Sequence, residues 1–320
     1  MCMKISGFTI IRNAVQYDFP VVECILSALP LVDEFIVSLG DSSDGTEELV
    51  KSIDSPKVKI LYSDWDTSTY NKDGMIYAHQ TDEALHTCSG DWCLYLQGDE
   101  VLHESGIPTI RAACEKYLNN TDVEGFLLKY VHFYGDYDHY IDAMHFAYPK
   151  EIRIVRNIPD IHSWRDAQSF RVIENFDKKN YWQEEGARKL NCILLNAYMF
   201  HYGWARNPFC MVKKQEEQEK MHSGDAGIQP QKPYFDYGNL SYMPVFKGTH
   251  PQVMNDRISK MNWSKYLRFT GKKPNMGKKF GLKYRILNWI EHQILGGRRI
   301  GGFKNYKQIG RFKKNSLAEK

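Results

Sequence analysis

Residues 4–62 alternate short β-rich runs with segments of helical period, and that alternation restricts the fold more than any other feature of the chain. Residues 4–11 have the apolar, β-branched character of a buried strand and run out at Arg12-Asn13. Asp18 and Pro20 open a helix in which Val21, Val22, Ile25, Leu26 and Leu29 recur at helical spacing, and Pro30 stops it. A second strand over 34–39 closes in a polar turn, Gly40-Asp-Ser-Ser-Asp-Gly-Thr46, which passes into a helix over 47–53; a third strand covers 58–62. Strands joined through helices need crossovers, and crossovers make parallel sheets that place ligands at the carboxyl ends of their strands. The expectation is an α/β protein with a mixed, mainly parallel central sheet and its chemistry in the turns that follow the strands.

A helix over 75–87 leads to a strand over 91–96 that ends in Gln97-Gly98-Asp99-Glu100. Beyond it the pattern predicts a helix over 106–118, strands over 125–133, 152–155 and 169–172, and an apolar run over 192–200 that ends at His201-Tyr202-Gly203-Trp204. Residues 134–168, rich in Tyr, His, Asp and Trp, read as loops, and 209–221 as a charged, solvated helix. A chain of 320 residues with 42% hydrophobic residues is long enough for one large domain or two moderate ones with a continuous core. No apolar run approaches the roughly 20 residues that span a bilayer, and the amino terminus has no secretory pattern, so a cytoplasmic protein is expected. The seven cysteines are scattered without a CxxC pair, which points to reduced thiols rather than a disulfide framework or a zinc ribbon.

The strand and Arg12-Asn13, the turn Asp41-Ser42-Ser43-Asp44-Gly45-Thr46, Asp82, and the strand ending in Gln97-Gly98-Asp99 form an ordered series along about a hundred residues. That series resembles the family 2 glycosyltransferases over residues 5–105. The resemblance implies a GT-A fold, an α/β nucleotide-binding sandwich in which 1–105 bind a nucleotide-sugar and 106–270 form the acceptor-binding half. It also implies a divalent cation, Mn2+ or Mg2+, held by the acid that ends the fourth strand, because a departing diphosphate develops negative charge that a hard cation stabilises. Asp99 is the ligand expected on this basis, with Glu100 and His201 completing the set. Ile11, Arg12, Asn13, Asp41, Asp82, Gln97 and Gly98 are expected at the UDP-, GDP- or dTDP-sugar donor. The sequence departs from the family where Gln97 replaces the first acid of Asp-x-Asp, where Asp41 is displaced in the second turn, and where Thr81-Asp82 replaces an Arg-Asn pair; Ser43 and Asp44 read as helix caps.

Inverting transfer needs a carboxylate to take the proton of the acceptor hydroxyl. Asp166, in His162-Ser-Trp-Arg-Asp166, is the expected base, beside Trp164 on which a sugar can stack; Glu151, Glu184 and Glu185 are the rivals. Charge is unevenly spread. Residues 271–320 carry 14 Lys/Arg against two acids, a net of +12, and the remainder nets −9. Within 276–295, Phe280, Leu287, Ile290 and Ile294 share a helical face flanked by Lys278-Lys279 and Arg298-Arg299, the pattern of a helix lying on an anionic surface. The combined expectation is an inverting glycosyltransferase acting on a glycan or lipid-linked glycan, peripheral on the inner face of the cytoplasmic membrane and without a nucleic-acid partner. A nucleotidyltransferase is disfavoured because no Gly-rich basic loop follows the first strand. A non-catalytic carbohydrate-binding protein on the same fold is the reading that Gln97 and Asp41 leave open.

Overall fold

The computed structural model describes residues 3–70, 72–223, 233–268, 271, 273–274, 281–295 and 299–313. The first half is four strands and three helices in alternation: β1 (Ile5–Ile11), α1 (Val21–Ala28), β2 (Glu34–Gly40), α2 (Thr46–Lys51), β3 (Val58–Ser63), α3 (Met75–Thr87) and β4 (Trp92–Tyr95). These strands pair in parallel in the order β3-β2-β1-β4. Strand order therefore reverses between β1 and β4, where the loops after the two strands part and leave a crevice.

The second half extends the same sheet. It contains β5 (Glu100–Leu102), α4 (Ile107–Lys116), β6 (Gly125–Tyr134), β7 (Lys150–Arg156), β8 (Ile161–Trp164), β9 (Ser169–Ile173), β10 (Ala187–Lys189), β11 (Asn191–Trp204), α5 (Pro208–Ser223), α6 (Asn255–Ser259), α7 (Leu282–Gln293) and β12 (Lys307–Arg311). Antiparallel β7 joins β4 to β6, and β11 runs parallel to both β6 and β12, so the order among described residues is β12-β11-β6-β7-β4-β1-β2-β3, with β5 antiparallel to the far end of β11. The α/β class and the mixed, mainly parallel sheet expected from the sequence are both present.

Side chains alternate across the sheet with the period of two that a pleated strand imposes. Trp92, Leu94 and Leu96 face α1 and α4 with Ile5, Ile11, Val21, Ile25 and Ile110. Cys93 and Tyr95 face α3 and a separate three-stranded sheet, β10-β9-β8, with Phe8, Leu85, Ile161 and Phe170. A third, aromatic cluster of Phe133, Tyr134, Tyr137, Tyr202, Tyr237 and Trp263 closes the end of β6 and β11. Cys24, Cys88, Cys93, Cys114 and Cys192 are buried free thiols, as expected; Cys2 lies outside the described residues.

At the opposite edge from the crevice, Glu34 laces the amino ends of the strands. Its carboxylate accepts from Ser6 Oγ (2.7 Å), Ser89 N (2.8 Å), Ser89 Oγ (2.7 Å) and Lys59 Nζ (2.6 Å). Burial alone would raise its pKa, but these donors outweigh it and bring it down to about 2. A depressed carboxylate pKa stabilises the fold above the unfolded value and loses that contribution as pH falls through the folded one. Glu34→Gln is expected to lose about 2 kcal/mol at pH 7, discounted for the exposed Lys59. In urea melts the gap from wild type should close between pH ~4.3 and ~2.

Three sequence expectations change here. Residues 161–164 lie in a stretch read as loop but form β8, because its Ile161, Ser163 and Trp164 are all buried against neighbouring layers. The basic segment is not a single appendage: β12 joins the central sheet, and Tyr306 and Phe312 enter its two cores. Helix α7 docks through its polar side, with Asn288 Nδ2 donating to the Asp142 carbonyl (2.6 Å) and buried Glu291 bonded to His145 (2.9 Å). Leu287 and Ile290 are half-buried, Ile294 is exposed as expected, Phe280 lies outside the described residues, and Leu282, Ile286 and Trp289 are exposed as well. Among described residues, no helix is long and apolar enough to cross a membrane.

Candidate active site

A cleft of about 520 Å3 opens where β1 and β4 diverge. Its walls include Ile11 and Arg12 after β1, Gln97, Gly98 and Asp99 after β4, Trp65, Tyr77, the loop 144–148, Glu151, Asp166, and Lys214, Glu217 and His222 from α5. Four of the seven expected donor-binding residues, Ile11, Arg12, Gln97 and Gly98, are therefore brought together.

The other three are placed elsewhere. Asn13 sits at φ 48° and its Oδ1 accepts from Ser43 N (3.1 Å), while Asp41 is exposed and offers only its backbone carbonyl, to Arg12 Nε (3.1 Å). Both belong to a knot that ties the first two turns together, completed by Asp44 accepting from Gln16 N (2.6 Å) and Thr46 N (3.2 Å). Asp82 is fully buried beneath β8, where it accepts from Ser163 N (2.9 Å), because the face of α3 that carries it packs on the small sheet.

Asp99 is the focus of the cleft floor. It is 5% exposed, its Oδ2 accepts from Lys214 Nζ (2.9 Å), and Arg206 stands 3.5 Å away. Burial opposes its charge, but Lys214 and its neighbours prevail and hold it well below the usual carboxylate range. Lys214 is itself pulled down to about 8, by burial first and Arg206 second, against the pull of Asp99.

His201 stands beside Asp99, held there by a relay. His132 Nε2–H donates to the Tyr148 carbonyl (2.8 Å), which leaves His132 Nδ1 to accept from His201 Nδ1–H (3.1 Å). Burial lowers the two imidazoles to about 4 and about 3, so both are neutral near pH 7. The Nε2 lone pair of His201 then faces Asp99 Oδ1 at 3.5 Å, acceptor against acceptor. Gly203 leaves the approach open, since a Cβ there would stand 2.7 Å from His201 Nε2 and 3.0 Å from Asp99 Oδ2. One imidazole and one carboxylate, oriented from behind and facing each other, fit a divalent cation and suit Mn2+ better than Mg2+. Lys214 and Arg206 already neutralise Asp99, so such a cation is best accommodated together with an anionic ligand.

Glu100 does not fit that set. Arg153 holds it bidentately (2.8 Å each), Tyr130 OH donates at 2.7 Å and Gln97 N at 3.1 Å, and both Glu100 and Arg153 are fully buried. Its oxygens are occupied, and it braces the loop after β4 instead.

Asp166 lines the cleft from the β8–β9 turn, where Arg165 and Ala167 on either side both adopt left-handed φ (61° and 60°). Such backbone costs about 1–3 kcal/mol per residue and persists only where the surroundings enforce it. The enforcement is visible: the Arg165 guanidinium lies 4.0 Å over Trp164 and 4.6 Å over Trp182, and the Arg165 backbone N–H donates to the Tyr181 carbonyl (2.8 Å). Gly74, at φ 71°, has no side chain where Asp166 and His222 pack, each within 2.8 Å of a would-be Cβ. Trp164 is 3% exposed between Arg165 and Arg171, which removes it as a stacking surface. Of the rival acids, Glu184 and Glu185 are exposed and off the cleft, whereas buried Glu151 lines it and is raised by burial.

Among the cleft residues that the sequence reading missed, the charged ones on α5 stand out. Lys214, Glu217, Gln218, Met221 and His222 fall at i, i+3, i+4, i+7 and i+8, one helical stripe, and four of them line the cleft. That spacing was the available signal, hidden by the charge of the whole segment.

No protein-family profile and no curated protein matches the chain. Among solved structures, S. aureus TarS in complex with UDP-GlcNAc aligns at 16% identity over 68% of this chain and 66% of that one, with a TM-score of 0.40. Glucosyl-3-phosphoglycerate synthase from Mycobacterium tuberculosis, in complex with Mn2+, UDP and glucosyl-3-phosphoglycerate, aligns at 19% identity over 41% of this chain and 44% of that one, with a TM-score of 0.27. The chain spans 39% of the longer TarS chain it matches.

Proposed function

We propose that this protein is a GT-A type glycosyltransferase that moves a sugar, with inversion, from a nucleotide-sugar to a hydroxyl of a glycan acceptor. The observation that supports this reading is the convergence of Arg12, Gln97, Asp99, Lys214 and Asp166 on one cleft at the switch point of the sheet. In this reading the nucleoside lies against the ends of β1 and β4, and Gln97 hydrogen-bonds a ribose hydroxyl. Lys214 and Arg12 face the diphosphate and offset its charge. Asp99 and His201 would hold a divalent cation, whose charge would offset the negative charge that develops on a departing diphosphate. Asp166 accepts the proton of the acceptor hydroxyl as that oxygen bonds to the anomeric carbon and the bond to the diphosphate breaks.

Thermal melts with UDP, GDP and dTDP, each with Mn2+, test the reading: one nucleotide should raise the Tm, and silence with all three in folded protein would remove it. For the base, Asp166→Asn should lower transfer about 10²–10⁴-fold while donor affinity is kept, and Glu151→Gln should leave most activity. The reverse pattern would move the role to Glu151, whose buried carboxyl lines the same cleft.

A further inference from the structure

Outside the cleft, α3 and β8 bring together three metal-ligating side chains. Asp82 and His86 are one turn apart on α3, and His162 of β8 lies across from them. His162 Nδ1 is 2.8 Å from Asp82 Oδ2 and 3.3 Å from His86 Nε2, and His86 Nε2 is 3.6 Å from Asp82 Oδ1. Two ligands of a tetrahedral zinc, each about 2.0–2.1 Å from the ion, stand about 3.3 Å apart, and the three separations bracket that value.

Protons alone serve this arrangement poorly. If His162 Nδ1–H donates to Asp82, His86 Nε2 is left to share that proton or to aim its own at a nitrogen without a free lone pair. A cation between the two imidazole nitrogens and the Asp82 carboxylate satisfies all three side chains. The carboxylate is oriented from behind, as metal-binding carboxylates are, by Ser163 N–H (2.9 Å) and the Tyr181 hydroxyl (3.5 Å). Asp82 is fully buried and His162 nearly so, while the His86 side chain is 23% exposed, which gives an ion a way in and a water a place to bind. Two imidazoles and one carboxylate suit Zn2+ and do not suit Mg2+ or Ca2+.

We propose that Asp82, His86 and His162 form a structural Zn2+ site, separate from the cation at Asp99 and His201, that staples α3 to β8 with a water as fourth ligand. The β8–β10 sheet shares no ladder with the central sheet among described residues, yet its first turn carries Asp166. The staple fixes that turn relative to α3, whose Gly74 end lies against Asp166.

The test is zinc retention by the full chain after stripping with EDTA, reloading and dialysis, read by elemental analysis. Wild type and Asp99→Asn should each retain one zinc per chain, His86→Ala less than a tenth of that, and His86→Cys, which restores a ligand, most of it. Zinc should raise the Tm of wild type by several degrees and leave that of His86→Ala unchanged. His86→Ala should fold, since the side chain is partly exposed and its polar contacts, to His162 and Asp82, lie within the cluster. Wild type that retains no zinc, or retention that is the same in His86→Ala, would overturn the proposal; loss in an Asp99→Asn protein that still melts cooperatively would also overturn it and place the ion in the cleft.

Discussion

Asp99→Asn should lower sugar transfer about 10³-fold, roughly 4 kcal/mol of transition-state stabilisation, measured as nucleotide release from the donor with Mn2+. It should also unsettle the fold. The carboxylate is the counter-charge of buried Lys214 and Arg206, and removing one member of a buried ion pair costs about 3–5 kcal/mol. The two effects can be separated by adding Lys214→Met to Asp99→Asn, which removes the stranded ammonium. The double variant should regain part of the lost stability in urea melts and be far less active than Lys214→Met alone. A double variant as active as Lys214→Met would mean that Asp99 is only a structural counter-ion.

Arg153→Leu should produce a comparable loss of stability, about 3–5 kcal/mol, without touching the cleft floor directly. It leaves the fully buried Glu100 carboxylate with Tyr130 and one backbone N–H where it had a bidentate guanidinium, stacked between Tyr95 and Tyr130 at 5.4 Å from each ring. The sign of the companion experiment is opposite. Replacing both partners, in Arg153→Leu with Glu100→Leu, should recover most of the loss, because desolvating two charges offsets much of what their attraction contributes. A double variant no better than the single would show that Glu100 is needed by its other partners, the Tyr130 hydroxyl and the loop after β4.

The first half of the chain was legible because each of its elements reports itself locally. β1, β2 and β3 are apolar runs, α3 matches the segment 75–87 residue for residue, and the crossovers between them dictate parallel pairing. Position along the chain was a poorer guide to side-chain destination. Asp82 stands in a register that suggested a donor contact, yet the turn of α3 sends it under β8, and only a helix phase fixed by tertiary packing decides that. Glu100 follows Asp99 directly, but the turn that closes with Glu100 N–H on the Gln97 carbonyl (2.9 Å) sends it toward Arg153 from β7, a partner 53 positions away. β12 was hidden for a different reason: Lys-Gln-Ile-Gly-Arg is an edge strand, half of it in water, and its composition matches the solvated segment around it.

That last strand also bears on how the protein is made. β12 pairs with β11 more than a hundred residues upstream, and the same stretch of chain supplies Arg299, Phe303 and Asn305 to the cleft wall. On the ribosome the β3-β2-β1-β4 unit can form early, whereas β11, freshly paired with β6 and β5, must wait with Asn191–Leu194 bare on its other edge until residues 307–311 emerge. An unpaired edge of this kind is a template for association with other chains, so the interval before β12 docks is when a nascent chain most needs a chaperone.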